Sequence, residues 1–168
     1  ALAIPLMLSL KMDLADVLKL GFFMYLFAGI GSLPAGYLAD KIGKRTSIII
    51  FFFGSSISLI LAALMPGRTT FTLFLGMVGL FSSLCHPAVM SLISVGVKNI
   101  GTALGKNGVA GAIGLTSAPF VGALLNWIGG WKFAFILSGM IGLISGIMMI
   151  VSHIEEKPIV TIHAVKTN

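Results

Sequence analysis

Five stretches of this chain contain no Asp, Glu, Lys or Arg at all: Leu20–Ala39, Thr46–Gly67, Thr69–Val97, Asn107–Trp131 and Phe133–Ile154, of 20, 22, 29, 25 and 22 residues. A helix needs about 20 mostly apolar residues to cross the hydrocarbon core of a bilayer. Each stretch meets that length, and a soluble fold would have to hide all of them in a chain of 168 residues. Charged residues make up only 10% of the chain, against about 25% in ordinary soluble domains. Mean hydropathy is +1.08. The expected fold class is therefore an all-α polytopic membrane protein with five full transmembrane helices plus the end of a sixth.

The spans are expected at 20–39, 46–65, 70–97, 107–126 and 131–152, with the partial one at 1–10. Together they form a helix bundle over 1–154, followed by a polar tail at 155–168. Ala1–Leu10 is apolar but too short to cross and has no basic n-region, so it reads as the last turns of a helix and not as a signal peptide. Pro66-Gly67-Arg68 and Gly129-Gly130 supply turns, and Lys98–Lys106 a polar loop. Small residues recur at four-residue spacing: Ala28, Ser32 and Gly36; Gly79, Ser83, Pro87 and Ser91; Ser138, Gly142 and Gly146. Gly111, Gly114, Ala118 and Gly122 share another narrow arc. Such stripes let helices approach closely in lipid.

The net charge of +6 does not indicate nucleic acid, because the cations sit in short loops beside the spans. If the Lys41–Arg45 turn is cytoplasmic, then so are 98–106 and 153–168. That places Lys41, Lys44, Arg45, Lys98, Lys106, Lys157 and Lys166 inside, against Lys11, Lys19, Arg68 and Lys132 outside. This follows the positive-inside rule for a multi-pass protein of the cell membrane. The single cysteine, Cys85, excludes an internal disulfide. It adjoins His86, but neighbouring helical residues diverge by about 100°, so the two do not form a metal pair. No metal, no cofactor and no enzymatic constellation is expected: paired carboxylates, H-E-x-x-H, G-x-S-x-G and a phosphate-cradling loop are all missing.

The densest charge cluster is Gly36-Tyr37-Leu38-Ala39-Asp40-Lys41-Ile42-Gly43-Lys44-Arg45. A carboxylate at a helix C-terminus meets the negative end of the macrodipole. Asp40 therefore needs a partner: Lys44, Arg45, or the N-terminus of another helix. Gly43 suits a positive-φ turn. The stretch resembles the G-x-L-A-D-[RK]-x-G-[RK]-[RK] signature of the major facilitator superfamily, between its second and third transmembrane helices, and matches at every specified position. The resemblance implies a cytoplasmic gating motif of Gly36, Leu38, Asp40, Lys41, Gly43, Lys44 and Arg45, with Asp40 clasping a helix of a second six-helix half. It also implies that the chain is the N-terminal half of a secondary transporter, lacking most of helix 1, with the tail as the start of a central linker.

An internal repeat accompanies the motif. Gly36-Tyr37-Leu38-Ala39-Asp40-Lys41-Ile42-Gly43 overlays Gly122-Ala123-Leu124-Leu125-Asn126-Trp127-Ile128-Gly129 at an offset of 86 residues, with Gly, Leu, Ile and Gly coincident and Asp matched to Asn. Three spans separate the copies, so they end on opposite sides of the bilayer, as in a 3+3 inverted repeat.

Two further elements bear on function. Gly114, Ala118, Pro119 and Gly122 resemble the helix-5 element common in the superfamily's exporters, with Ala118 and Ala123 replacing two of its glycines. Pro119 removes a backbone hydrogen bond, which makes this a candidate hinge. His86-Pro87 lies mid-span, where ionisable groups usually face a cavity or a partner. His86, with Ser82, is the candidate substrate or proton pathway, and His-Pro here resembles fosmidomycin-resistance-like members. Leu75 stands where the fourth helix of the superfamily often has arginine. The expected partners are the lipid bilayer, a small-molecule substrate and the missing C-terminal six-helix half. The alternative is a small membrane scaffold or assembly subunit associating through glycine-rich faces.

Overall fold

The computed structural model describes residues 2–65 and 67–152. Pro66 of the expected turn and the 153–168 tail lie outside the described residues. Six helical elements follow one another: α1 (Ala3–Leu10), α2 (Leu14–Ile42), α3 (Lys44–Leu64), α4 (Arg68–Ser82), α5 (Cys85–Gly96) and α6 (Ile100–Val151). No strand occurs among the described residues.

The helices run past the charge-free stretches because their polar ends are capped. α2 starts at Leu14, where the Asp13 side chain accepts from the Asp16 amide at 2.7 Å. Asp16 then accepts from Arg68 Nη2 at 2.5 Å and from Lys19 Nζ at 3.2 Å, which ties the first turn of α2 to the first turn of α4. The apolar run 70–97 is divided at Ser83–Leu84 into α4 and α5. Pro87 has no N–H to continue the ladder. The chain tightens just before it: the Leu84 amide bonds Phe81 O at 3.2 Å, and the Ser83 amide is shared between Gly79 O and Leu80 O. Arg68–Gly96 together is still long and apolar enough for one crossing.

A straight helix the length of α6 would reach ~78 Å, more than twice a bilayer core. It is broken at Gly130, whose φ of 78° and ψ of 174° are non-helical. Ala118, Gly122 and Leu125 line the same groove as Ala134, Phe135 and Ser138, so the chain doubles back there. α6 thus provides two crossings, α6a (100–129) and α6b (131–151). Among the described residues the total is five, with α1 as a short added element.

The seam between α3 and α6b holds the bundle together, and glycine makes it possible. A Cβ at Gly142 would collide with the Ser56 hydroxyl; one at Gly139 would lie 2.6 Å from Ile60 Cγ1, and one at Gly146 2.8 Å from Phe53 Cε2. These contacts carry a symmetry. Ser56 and Gly142 are 86 residues apart, the offset of the sequence repeat. Moving Phe53 and Gly146 by the same offset gives Gly139 and Ile60, which also touch. Each copy contacts the other through equivalent positions, as in an isologous two-fold interface. The two turns preceding these helices match as well, since Gly43 (φ 95°) and Gly130 (φ 78°) are the only positive-φ glycines described. The second falls one residue later than the repeat predicts. The architecture is a 3+3 inverted repeat with its axis through the Ser56–Gly142 contact.

Candidate functional site

At the Gly43 end, Ala35 and Ala39 fix the last turns of α2 against the bundle, at 1% and 2% exposure. That places Leu38, Asp40 and Lys41 on the outward face, all exposed. Gly36 on the same helix has nothing within 4 Å of where a Cβ would stand. Gly43 has φ 95° and ψ 145°, a conformation glycine alone tolerates readily, and α3 starts at the next residue. The turn is fastened by the Ser47 amide and hydroxyl, both donating to Gly43 O at 3.0 and 2.9 Å.

The cations of the motif do not serve Asp40. Lys44 is packed into the bundle at 7% exposure. Arg45 Nη2 donates to Ile150 O at 2.6 Å, Ser152 O at 2.9 Å and Met149 O at 3.4 Å. The last carbonyls of a helix have no partners within it and carry its negative dipole end, so a guanidinium there satisfies both. Of the three partners the sequence allows for Asp40, Arg45 is hydrogen-bonded elsewhere and Lys44 is packed into the bundle, and neither pairs with it. Among the described residues Asp40 makes no ion pair.

The second site lies between α2 and α4–α5. A Cβ at Gly79 would strike the α2 backbone at Met24, and one at Gly31 would lie 2.6 Å from Ser83 Oγ. This close crossing leaves a groove of about 300 Å³ lined by Met24, Tyr25, Ala28, Ser32, Ser82, His86 and Pro87. His86 and Ser82 therefore share one cavity, and His86 is exposed into it. Neither side chain hydrogen-bonds the other. Reading the sequence alone missed Met24 and Tyr25. The signal was present for Tyr25, because Tyr25, Ala28 and Ser32 fall at i, i+3 and i+7 on one helical face.

The third candidate, on α6a, is the least enclosed. Gly111, Gly114 and Gly122 have nothing within 4 Å of a built Cβ. Pro119 keeps helical backbone angles, and the only non-helical residue inside α6 is Gly130. Ala118 and Gly122 border a groove of about 320 Å³ shared with Leu2 and Leu59. No cluster of three or more His, Cys, Asp or Glu capable of holding a metal ion occurs among the described residues.

A bundle of five apolar helices, built as an inverted repeat around glycine seams, with a carboxylate presented at one helix end and a mostly apolar groove between α2 and α4–α5, defines a polytopic helical membrane protein. The chain belongs to the Major Facilitator Superfamily, which matches residues 1–165. It is similar to a tetracenomycin C resistance and export protein of Streptomyces glaucescens, 26% identical over 155 residues, covering 89% of this chain and 29% of that protein. A probable L-galactonate transporter of Escherichia coli (strain K12) is 26% identical over 117 residues, covering 68% of this chain and 26% of that protein. The chain thus spans under a third of the length of the curated relatives it matches.

Proposed function

We propose that this chain is the N-terminal bundle of a secondary transporter that moves a small solute across the cell membrane by alternating access. The Asp40 turn is cytoplasmic, as are 98–106 and 153–168, and Asp40 clasps a helix end of the second six-helix half when the inner side is closed. The observation that carries this reading is that Lys44 is packed into its own bundle and Arg45 bonds the carbonyls ending α6b, while Asp40 stands exposed at the C-terminal end of a helix, where the dipole disfavours it. A positive helix N-terminus or a cation on the other half would relieve that. Solute or protons pass His86 and Ser82, with Pro119 and its small neighbours giving α6a room to bend. The groove's Met24 and Tyr25 walls suit a largely apolar solute with hydrogen-bonding groups. That favours the exporter among the two relatives over the sugar-acid carrier.

The test is transport by the intact carrier in inverted membrane vesicles, with Asp40→Ala and His86→Ala beside the natural sequence. Both variants are expected to insert normally and to lose most of the flux. Undiminished flux in Asp40→Ala removes the clasp, and undiminished flux in His86→Ala removes the pathway.

A further inference from the structure

We infer that the carrier has a second, neutral joint on the opposite face of the membrane, with Asn126 as its positioning residue: the counterpart of Asp40, closing onto the second half when the inner joint opens. This rests on the transporter reading. It is carried by the two-fold symmetry of the fold, which the Ser56–Gly142 self-contact and the exchanged Phe53–Gly146 and Ile60–Gly139 contacts establish independently of either turn.

The symmetry places the two turns at equivalent points of opposite ends, and their construction agrees. Each ends a long helix, passes through a positive-φ glycine and starts the next helix at once. In each, the first turn of that next helix is anchored to the bundle. Arg45 does this through the carbonyls ending α6b. Trp131, which the repeat sets opposite Arg45, does it at 6% exposure by edge-on contacts to Phe71 and Phe135, 5.7 and 5.8 Å between ring centres. In each, the preceding helix carries a polar side chain in its last turn, Asp40 exposed and Asn126 half-buried. Asp40 and Asn126 both lack a hydrogen-bond partner among the described residues, and the glycine four residues before each, Gly36 and Gly122, faces open space. Trp127 beside Asn126 is 83% exposed, as a residue covered by another part of the carrier would be here.

The matched segments cover only 29% and 26% of the two relatives, so a second half is the occupant available to both turns. The chemistry of the joints differs. The inner one works by charge, whereas the outer offers an amide and an indole, which can cap helix-end N–H or C=O groups without a counter-ion.

The experiment uses the intact carrier in a Cys85→Ala background with a reporter Ser32→Cys in the groove, labelled by a membrane-impermeant maleimide added from outside. Asp40→Asn is expected to lower the labelling rate, because the inner side opens. Asn126→Leu is expected to raise it about fivefold, the change that losing one ordinary hydrogen bond gives. Asn126→Ser, which keeps a hydrogen-bonding group, restores the starting rate. If Asn126→Leu fails to reach the membrane, Asn126→Ala replaces it in the comparison with Asn126→Ser. A rate unchanged in the Leu or Ala variant, or shifted in the same direction as Asp40→Asn, overturns the outer joint. A carrier that moves none of the solutes offered but shows opposite shifts retains the joint and removes the transport reading; normal flux with unshifted labelling does the reverse.

Discussion

Asp40 and Arg45 sit five residues apart in one motif, yet the structure gives them opposite duties. Arg45 is spent inside the bundle on the carbonyls ending α6. Hydrogen bonds to a charged group contribute about 1.5–3 kcal/mol each at best, and these three share one nitrogen. Arg45→Ala is therefore expected to destabilise the bundle by about 2–3 kcal/mol, read as a lower unfolding midpoint in detergent. Arg45→Lys should recover only part of that, because an ammonium lacks the planar fork. Asp40→Ala removes an exposed group without a described partner and is expected to move the midpoint by no more than about 0.5 kcal/mol, while abolishing most transport. Equal loss of stability in the two variants would mean that the motif is one structural unit. The sequence could not separate these roles, because the contact that does so links residues more than 100 positions apart.

Among the helices, glycine marks both the contacts already made and the surfaces still open, and substitution distinguishes them. At Gly142 and Gly139 an added methyl meets Ser56 or Ile60 and the α3 backbone. Overfilling a close-packed seam typically costs about 1–3 kcal/mol, so Gly142→Ala should lower the melting temperature clearly. At Gly114 nothing stands within 4 Å. There Gly→Ala should stabilise the chain by about 0.5–1 kcal/mol by lowering its backbone entropy when unfolded. The same change should impair the intact carrier wherever another helix crosses that face. The five crossings were legible because lipid selects for charge-free length, a property of composition that needs no tertiary knowledge. Two features were less legible. The break at Ser83–Leu84 depends on how Pro87 shifts the hydrogen-bond ladder upstream, and which residue of the expected Gly129-Gly130 turn takes the positive φ, Gly130 and not the repeat position Gly129, depends on backbone geometry. For the candidate sites, the sequence named His86 and Ser82 but not the wall of Met24 and Tyr25, since which face of α2 meets α4 is decided by the Gly31 and Gly79 contacts.

For the molecule as a whole, the inverted repeat turns a statement about contacts into one about sides of a membrane. Lys41 and Trp127 occupy equivalent positions of the two copies, and both are exposed. Three crossings separate them, an odd number, so they must face opposite compartments whatever the absolute orientation of the bundle. Charge then selects the orientation: three cations at the Lys41 turn against the single Lys132 near Trp127 favour the first as cytoplasmic. Single Lys41→Cys and Trp127→Cys carriers, without Cys85, treated with an impermeant thiol reagent on intact cells and on inverted vesicles, test both steps separately. Trp127→Cys should be labelled on cells and Lys41→Cys only on inverted vesicles. An exchange of the two results would reverse the orientation and leave the repeat standing. Labelling of both from one side would mean an even number of crossings between them. In that case one of α3, α4–α5 and α6a would not cross, and the two-fold relation between the turns would go with it.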